Sequence, residues 1–252
     1  MGAHIITAAV IKGGTGKTST AAAFAQAAHA NKKKVLAIDL DPQGNLTAFL
    51  AGDEAHAGSY ELLHGADVAD VIQHTGQEID LIAGRADLAT EKTTAGSAKR
   101  LDKAIAPIKG KYDFIIIDTP PFIGELTYNS IQASTGLLIP LDADTASIKG
   151  LYYIADVAEA MRKRGAADLS FIGVLLTRYR GRANINQFIR DKIKDAAERI
   201  GAAYLGEIRD GIAIREAQAM SKDLFNYAPK SNPAQDYMQL YKTYTKKNKG
   251  RA

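Results

Sequence analysis

Several features that would suggest particular classes of protein are missing from this sequence of 252 residues. It has no cysteine, which excludes disulfide bonds, iron–sulfur clusters and thiolate zinc sites. No apolar run approaches the roughly twenty residues that span a bilayer. The amino terminus lacks a charged segment followed by an apolar one, as secretion signals have. We therefore expect a cytoplasmic protein.

The composition is that of an ordinary globular protein. Apolar residues make up 46% of the chain and charged residues 24%, and the formal net charge is only +4. There is no internal repeat and no low-complexity linker, so we expect residues 1–252 to form a single domain. The uneven distribution of charge is more informative than its sum.

A glycine-rich segment, VIKGGTGKTST over residues 10–20, follows the first apolar run of the chain. The run predicts a strand over residues 4–11, and the alanine-rich segment after the loop predicts a helix over about 17–30. Strand, glycine-rich loop and helix together form a phosphate-binding loop, in which backbone amides and the helix N-terminus hold an anion. An accidental Gly-Lys-Thr in a turn is the alternative. The expected nucleotide-binding residues are Gly13, Gly14, Thr15, Gly16, Lys17, Thr18 and Ser19, with Lys17 on the β- and γ-phosphates and the Thr18 hydroxyl on magnesium.

Two further apolar runs end in carboxylates. One predicted strand begins at Val35 and closes on Asp39 and Asp41, and another runs from Tyr112 to Asp118. Strands apolar on both faces indicate a parallel sheet covered by helices, whose ligands bind outside the carboxyl ends of the strands. Asp118 is therefore expected to hold magnesium through its water shell, as a Walker B aspartate does. Asp41 could instead cap the turn that follows it.

The loop departs from the common form of its motif. In Gly-x-x-x-x-Gly-Lys-[Ser/Thr] the first glycine would stand where this chain has Ile11, and a lysine, Lys12, follows it. The segment resembles the deviant Walker A box of the ParA/MinD family of P-loop ATPases. The resemblance implies that Lys12 reaches the nucleotide of the opposite subunit in an ATP-sandwich dimer. The alternative is a solvated lysine beside an anion site.

The resemblance extends through residues 35–47 and 112–121 and more loosely to the C-terminus. It implies that Asp41 positions the attacking water and that Asp39 orients the magnesium shell. The catalytic set is then Lys12, Lys17 and Asp41, and the metal set is Thr18, Asp39 and Asp118, with ATP and Mg²⁺ as cofactors. It also implies adenine contacts at Thr177, Arg178 and Arg209. The last of these lies in a loop that departs from the family's Pro-Arg-Asn pattern.

The remaining patterns complete the predicted fold. Strands are expected near residues 79–83, 137–141, 171–176 and 204–208, helices at 58–63, 68–72 and 152–164, and an interrupted helix over 86–109. Residues 144–150 resemble the family's loop beside the nucleotide. The chain therefore predicts an α/β fold, a mostly parallel twisted sheet with helices on both faces.

Positive charge is concentrated in two regions. Between Arg162 and Arg199 there are ten Lys or Arg against four Asp or Glu, and from Tyr237 onward there are five against none. Such clusters favour binding to a phosphate backbone, although charge runs are more often solvated surfaces. The expected DNA contacts are Arg180, Arg182, Lys246 and Lys247. The basic C-terminal helix and tail cover about residues 233–252. One face of this helix is predicted to pack on the core, because apolar residues recur on it at helical spacing: Tyr237, Leu240, Tyr241 and Tyr244.

The resemblance is strongest to ParA-type partition ATPases. It implies an ATP-dependent homodimer that binds double-stranded DNA without sequence preference, associates with the nucleoid and hydrolyses ATP when a ParB-like centromere-binding partner stimulates it. The first strand begins by residue 4, so no N-terminal helix-turn-helix domain is expected. The alternatives are a MinD-like ATPase that acts at the membrane, which is expected to be unlikely, and a bacterial tyrosine kinase.

Overall fold

Eight strands pair into one sheet in the computed structural model, which describes residues 2–51, 57–94, 96–166, 168–181 and 184–248. The order across the sheet is β3-β4-β2-β5-β1-β6-β7-β8. All the pairings are parallel except that of β3 with β4. The strands are β1 His4–Ala8, β2 Val35–Asp39, β3 Gln73–His74, β4 Asp80–Ile82, β5 Phe114–Asp118, β6 Gly136–Leu141, β7 Ser170–Tyr179 and β8 Tyr204–Arg209.

Helices cover both faces of this sheet, as predicted. The first six are α1 Lys17–Ala30, α2 Asn45–Ala51, α3 Ser59–Leu63, α4 Val68–Val71, α5 Arg100–Ile105 and α6 Glu125–Ala133. The others are α7 Thr145–Lys163, α8 Asn184–Arg199, α9 Ala213–Ala219, α10 Leu224–Tyr227 and α11 Asn232–Lys247. Short 3₁₀ turns occupy Ala86–Thr90, Ser97–Lys99 and Ala106–Ile108.

Alternating side chains of each central strand enter different cores. Ile116 of β5 packs with α1, α2 and α11, whereas Ile115 and Ile117 pack on the opposite face with α3 to α6. Strand β6 divides in the same way, with Leu138 on the α1 face and Leu137 against α7 and α8. A strand buried on both faces must be apolar throughout, which is why these strands are continuous hydrophobic runs.

The register of the central strands sets the position of the acidic residues. Ala8 and Asp39 both pair with Asp118, so β1, β5 and β2 end at the same level of the sheet. The phosphate-binding loop leaves β1 at this level. The predicted juxtaposition of loop and carboxylates is therefore a consequence of the strand order.

The structure differs from the predictions at several elements. Helix α7 begins at Thr145, so the prediction of a loop through residue 150 was wrong; the Asp144 side chain caps the helix by accepting a hydrogen bond from Ser147 N. The prediction of a single interrupted helix over 86–109 was also wrong, because among the described residues of that stretch only Arg100–Ile105 is α-helical and the other helical turns are three short 3₁₀ turns. The short strand β3 was not predicted.

The final helix packs as predicted. Tyr237, Tyr241 and Tyr244 of α11 are all buried against α1 and the sheet. The Tyr241 and Tyr244 rings meet Phe24 edge to face, with ring centroids 5.6 and 5.5 Å apart. The Tyr237 hydroxyl lies 3.1 Å from the Thr20 hydroxyl, which ties α11 to the first turn of α1. Over the described part of the chain, no helix combines the length and apolar character that crossing a membrane requires.

Candidate active site

The loop between β1 and α1 has the backbone geometry of an anion cradle. Gly14 and Gly16 adopt positive φ angles of 76° and 79°, a conformation that glycine enters without steric penalty. Gly16 precedes the first turn of α1, whose free amides and dipole favour a negative ligand. Lys17 stands at this helix N-terminus with only 6% of its surface exposed. Burial lowers the pKa of its ammonium group, while the charges of Asp118 and Asp41 oppose that shift.

A partly unsatisfied carboxylate faces the start of α1. The Thr18 hydroxyl donates a hydrogen bond of 2.6 Å to Asp118 Oδ2. The other oxygen, Oδ1, is buried and has no hydrogen-bond partner among the described residues. Burial, reinforced by the charge of Asp39, raises the pKa of Asp118 to about 8. A divalent cation or its water shell would satisfy Oδ1 and keep the carboxylate ionised, so these oxygen donors fit Mg²⁺.

Asp39 is fully buried, and hydrogen bonds hold both of its carboxylate oxygens. Oδ2 accepts bonds of 2.9 Å from the backbone and the hydroxyl of Thr47, and Oδ1 accepts one of 3.0 Å from Asp41 N. Burial raises the pKa of Asp39 to about 6, although these hydrogen bonds act to lower it. The structure thus places Asp39 behind Asp41, where it orders the turn that carries Asp41.

Asp41 lies on the wall of the cleft, beyond the end of β2. One carboxylate oxygen accepts a hydrogen bond of 3.0 Å from Gln43 N, and the backbone carbonyl accepts one of 2.9 Å from Gly44 N. Its side chain therefore both closes the turn and faces the space in front of the phosphate loop. The two interpretations of Asp41 from the sequence, that it positions the attacking water and that it caps the following turn, are compatible in this geometry.

Lys12 stands at the rim of the cleft, with 45% of its side chain exposed. Its ammonium group pairs with Asp144 and lies 3.8 Å from Asp142. Both carboxylates follow the end of β6. Asp142 was not predicted from the sequence, although its position just after a buried strand is the same signal that identified Asp41 and Asp118.

The three residues proposed as adenine contacts have other partners in the structure. The buried Thr177 hydroxyl donates a hydrogen bond of 2.7 Å to Thr15 O and so supports the phosphate loop from behind. The guanidinium group of Arg178 binds both oxygens of Asp142, at 2.6 and 2.7 Å. Arg209 forms an equivalent pair with Asp236. All three line the same cleft as the phosphate loop.

The residues proposed as DNA contacts are separated in space. Arg180 lines the cleft and pairs with Asp210 at 2.6 Å. Lys246 and Lys247 are exposed in the last turn of α11, at the opposite end of the sheet. Arg182 lies outside the described residues.

A cleft of about 700 Å³ joins these parts and is large enough for a nucleoside triphosphate. Gly13, Ser19 and Pro121 line its phosphate end, and Ile208, Ile214 and Tyr237 contribute apolar surface elsewhere. Gln43 and Asn45, which also line the cleft, belong to the segment 35–47 that carries the resemblance. Three other polar residues of the cleft were not predicted, because they come from helix faces without a recognisable motif: Asn186, Arg215 and Gln218.

Comparison with known proteins agrees with this geometry. Residues 3–171 match the protein family described as "AAA domain". The sporulation initiation inhibitor protein Soj of Bacillus subtilis is 33% identical over 92% of this chain and 94% of its own. The chromosome-partitioning ATPase Soj of Thermus thermophilus is 31% identical over 91% of this chain and 90% of its own. A crystal structure of cobyrinic acid a,c-diamide synthase from Mycobacterium smegmatis with bound ADP and magnesium is 26% identical and superposes with a TM-score of 0.86, covering 99% of this chain and 97% of that one.

The chain belongs to the ParA/MinD family of P-loop ATPases, and within it to the ParA type. Its reaction is the hydrolysis of ATP to ADP and phosphate, with Mg²⁺ as the metal cofactor. Thr18 and Asp118 would hold the metal, which would supply positive charge to the phosphate oxygens. The reaction requires little covalent chemistry from the protein, so positioning and electrostatic stabilisation dominate.

Proposed function

We propose that this ATPase is a DNA partition protein. ATP-bound subunits pair through their clefts, the pair binds double-stranded DNA without sequence preference, and a ParB-like partner stimulates hydrolysis. The observation that carries the proposal is an exposed lysine, Lys12, at the rim of an open nucleotide cleft. A relative named as a chromosome-partitioning ATPase, matched over nine-tenths of both chains, points to the same process.

Within one subunit, Lys17 and the loop amides hold the β- and γ-phosphates. The carboxylate of Asp41 orients a water molecule, whose oxygen attacks the γ-phosphorus while the bond to the β–γ bridging oxygen breaks. Thr177 keeps the loop in place through its bond to Thr15 O. Lys12 exchanges its pairing with Asp144 and Asp142 for the phosphates bound by the second subunit.

The surroundings of the cleft support pairing with a second copy. Ile185 and Phe188 on α8 are 60% and 59% exposed, and they flank Asn186, which lines the cleft. Ile212, next to the cleft residue Gly211, is 62% exposed. Large apolar side chains around an open site favour burial against another protein surface.

The test is a binding titration on two unrelated duplexes at several salt concentrations, with ATP and with ADP. We expect binding with ATP only, with similar affinity for both duplexes and a steep salt dependence. The Lys17→Ala variant should fold. It should bind ATP and ADP only weakly, and it should show no ATP-dependent binding to DNA. Equal affinity with ATP and ADP, or no binding near 50 mM salt, would contradict the proposal.

The two alternative functions receive less support. A MinD-like membrane helix needs an apolar face free to enter the bilayer, but the apolar stripe of α11 is buried against α1. A tyrosine kinase that modifies its own C-terminus needs accessible hydroxyls, but Tyr237, Tyr241 and Tyr244 are all buried. Liposome sedimentation with ATP and a phosphotyrosine assay test these two functions directly.

A further inference from the structure

A second basic surface lies at the amino ends of the strands, opposite the nucleotide cleft. A concave region of about 460 Å³ there is lined by four lysines against two carboxylates, Glu78 and Asp80. Three of the lysines follow α1 and the fourth precedes β5. We call this surface the lysine edge and define it by Lys32, Lys33, Lys34 and Lys111.

Most of these lysines have no carboxylate partner. Lys33 pairs with Asp113 at 3.3 Å, while Lys32, Lys34 and Lys111 are exposed and form no ion pair with any described residue. The nearby carboxylates have other partners: Asp80 accepts a hydrogen bond of 2.7 Å from the Tyr112 hydroxyl, and Glu78 lies 3.5 Å from His29. Three ammonium groups of the lysine edge therefore lack an ion-pair partner among the described residues.

Three arginines at the cleft, by contrast, form ion pairs with carboxylates. Arg178, Arg180 and Arg209 are each paired with an aspartate at 2.6 to 2.7 Å. An arginine so paired must break a charge-assisted bond before it contacts a phosphate, whereas an unpaired lysine exchanges only water and counterions. The lysine edge is thus the better surface for a phosphate backbone.

Lys32 also occupies an unusual backbone position. It follows the end of α1 with a φ of 62°, in the left-handed region where glycine or asparagine is favoured. A lysine there is less favourable than glycine for the fold alone. Backbone preference alone therefore does not account for a lysine at this position.

The tail lysines extend the same surface. The Tyr244 hydroxyl lies 2.9 Å from His4 Nδ1, at the first residue of β1, so α11 ends at the amino edge of the sheet. Lys246 and Lys247 follow in its last turn. Two regions that are distant in the sequence therefore contribute charge to one edge.

We propose that the lysine edge binds the phosphate backbone of double-stranded DNA. The inference rests on the proposed function. Strands of five residues, each roughly 13 Å long from first to last Cα, separate this edge from the cleft. When two subunits pair cleft to cleft, their lysine edges lie at the two far ends of the dimer. One dimer then holds two duplexes, and the pairing of ATP-bound subunits brings these duplexes into one complex.

The experiment compares wild-type protein with two triple variants of equal charge. The first, K32G/K34A/K111A, removes the unpaired lysines of the edge, and glycine at position 32 relieves the backbone strain. The control, K92A/K103A/K230A, removes exposed lysines that have no carboxylate partner among the described residues and that do not line this edge. DNA affinity, capture of a labelled duplex by a bead-bound duplex, ATP hydrolysis without DNA and melting temperature are measured for each.

With ATP at about 100 mM salt, we expect the edge variant to lose about tenfold or more in DNA affinity, about 2 to 3 units of salt slope, and duplex capture. Its ATP hydrolysis should stay at the wild-type rate, its melting temperature should be at or slightly above the wild-type value, and the control should bind DNA nearly normally. A lower melting temperature with unchanged DNA binding would show that the lysines only complement helix ends and would overturn the inference. So would equal losses in both variants.

Other outcomes separate the inference from the proposed function. If wild-type protein binds DNA with ATP and the edge variant binds equally well, the inference is wrong and the partition function stands. If wild-type protein binds no DNA, or binds anionic vesicles instead, the proposed function is wrong and the inference falls with it.

Discussion

Burial separates the roles of the three aspartates at the active site. Asp39 and Asp118 are completely buried, and their pKa values rise to about 6 and about 8. Local donors hold Asp39, whereas Asp118 retains a buried oxygen without a partner among the described residues. Asp41 borders the cleft and is the carboxylate of the three that can reach a water molecule in front of the phosphates.

Replacing Asp41 should separate nucleotide binding from hydrolysis. In Asp41→Ala the phosphate loop and Thr18 remain, so we expect ATP affinity within a few fold of wild type and hydrolysis reduced by about 100-fold or more. ATP should then trap the dimer, visible by size exclusion with light scattering.

An Asp41→Asn variant tests the same role, because it keeps the hydrogen bond that closes the turn at Gln43 N but removes the negative charge. If Asp41→Asn hydrolyses ATP at the wild-type rate, the carboxylate has only a turn-capping role.

At the scale of elements, α11 shows what the apolar stripe predicted from the sequence does in the structure. Its buried residues fill the α1 face of the core, with Tyr237 and Leu240 exposed by only 2% and 4%. The spacing of the stripe indicated a helix, and burial against Phe24 and Phe114 decided that the helix packs on the core. The basic residues of α11 stay at its exposed end.

Truncation of Leu240 should measure this packing. We expect Leu240→Ala to lower the free energy of unfolding by about 2 to 4 kcal/mol, because it leaves a cavity between α11 and α1. Gln239→Ala, one residue away on the exposed face, should change it by about 0.5 kcal/mol or less. Equilibrium denaturation measures both values. Equal effects would indicate that α11 is not packed in solution and would strengthen the membrane alternative.

At the scale of the whole molecule, Lys12 is the residue to which the proposed function gives a role in pairing with a second copy. Within one chain it pairs with Asp144 and Asp142, which keeps it at the rim of the cleft. Removal of this side chain leaves the cradle of its own subunit intact. Its effect should therefore appear in assembly rather than in nucleotide affinity.

We expect Lys12→Ala to bind ATP with near wild-type affinity and to remain a monomer at protein concentrations where ATP makes the wild type a dimer. Lys92→Ala, which removes another exposed lysine, is the charge control. Light scattering with ATP and with ADP measures the mass. A normal ATP-dependent dimer in Lys12→Ala would mean that this lysine is only a solvated neighbour of the anion site.

Local sequence determined a large part of the fold and the chemistry of the loop. Apolar runs ending in Asp39 and Asp118 predicted buried parallel strands, because only strands covered on both faces are apolar throughout. The Gly-Lys-Thr segment predicted the phosphate cradle, because its function depends on backbone geometry within a few residues. Where local signals were weak, as over residues 86–109, the predicted helix was wrong.

Only the tertiary structure decided which distant residues meet. Strand order placed Asp142 beside both Lys12 and Arg178, and the parallel sheet brought Thr177 under Thr15. It also showed that three cleft arginines are paired with aspartates, while three unpaired lysines lie together at the far edge. A sequence states how many charges a chain carries, but their partners depend on contacts between residues that are far apart in the chain, which arise only when the elements pack.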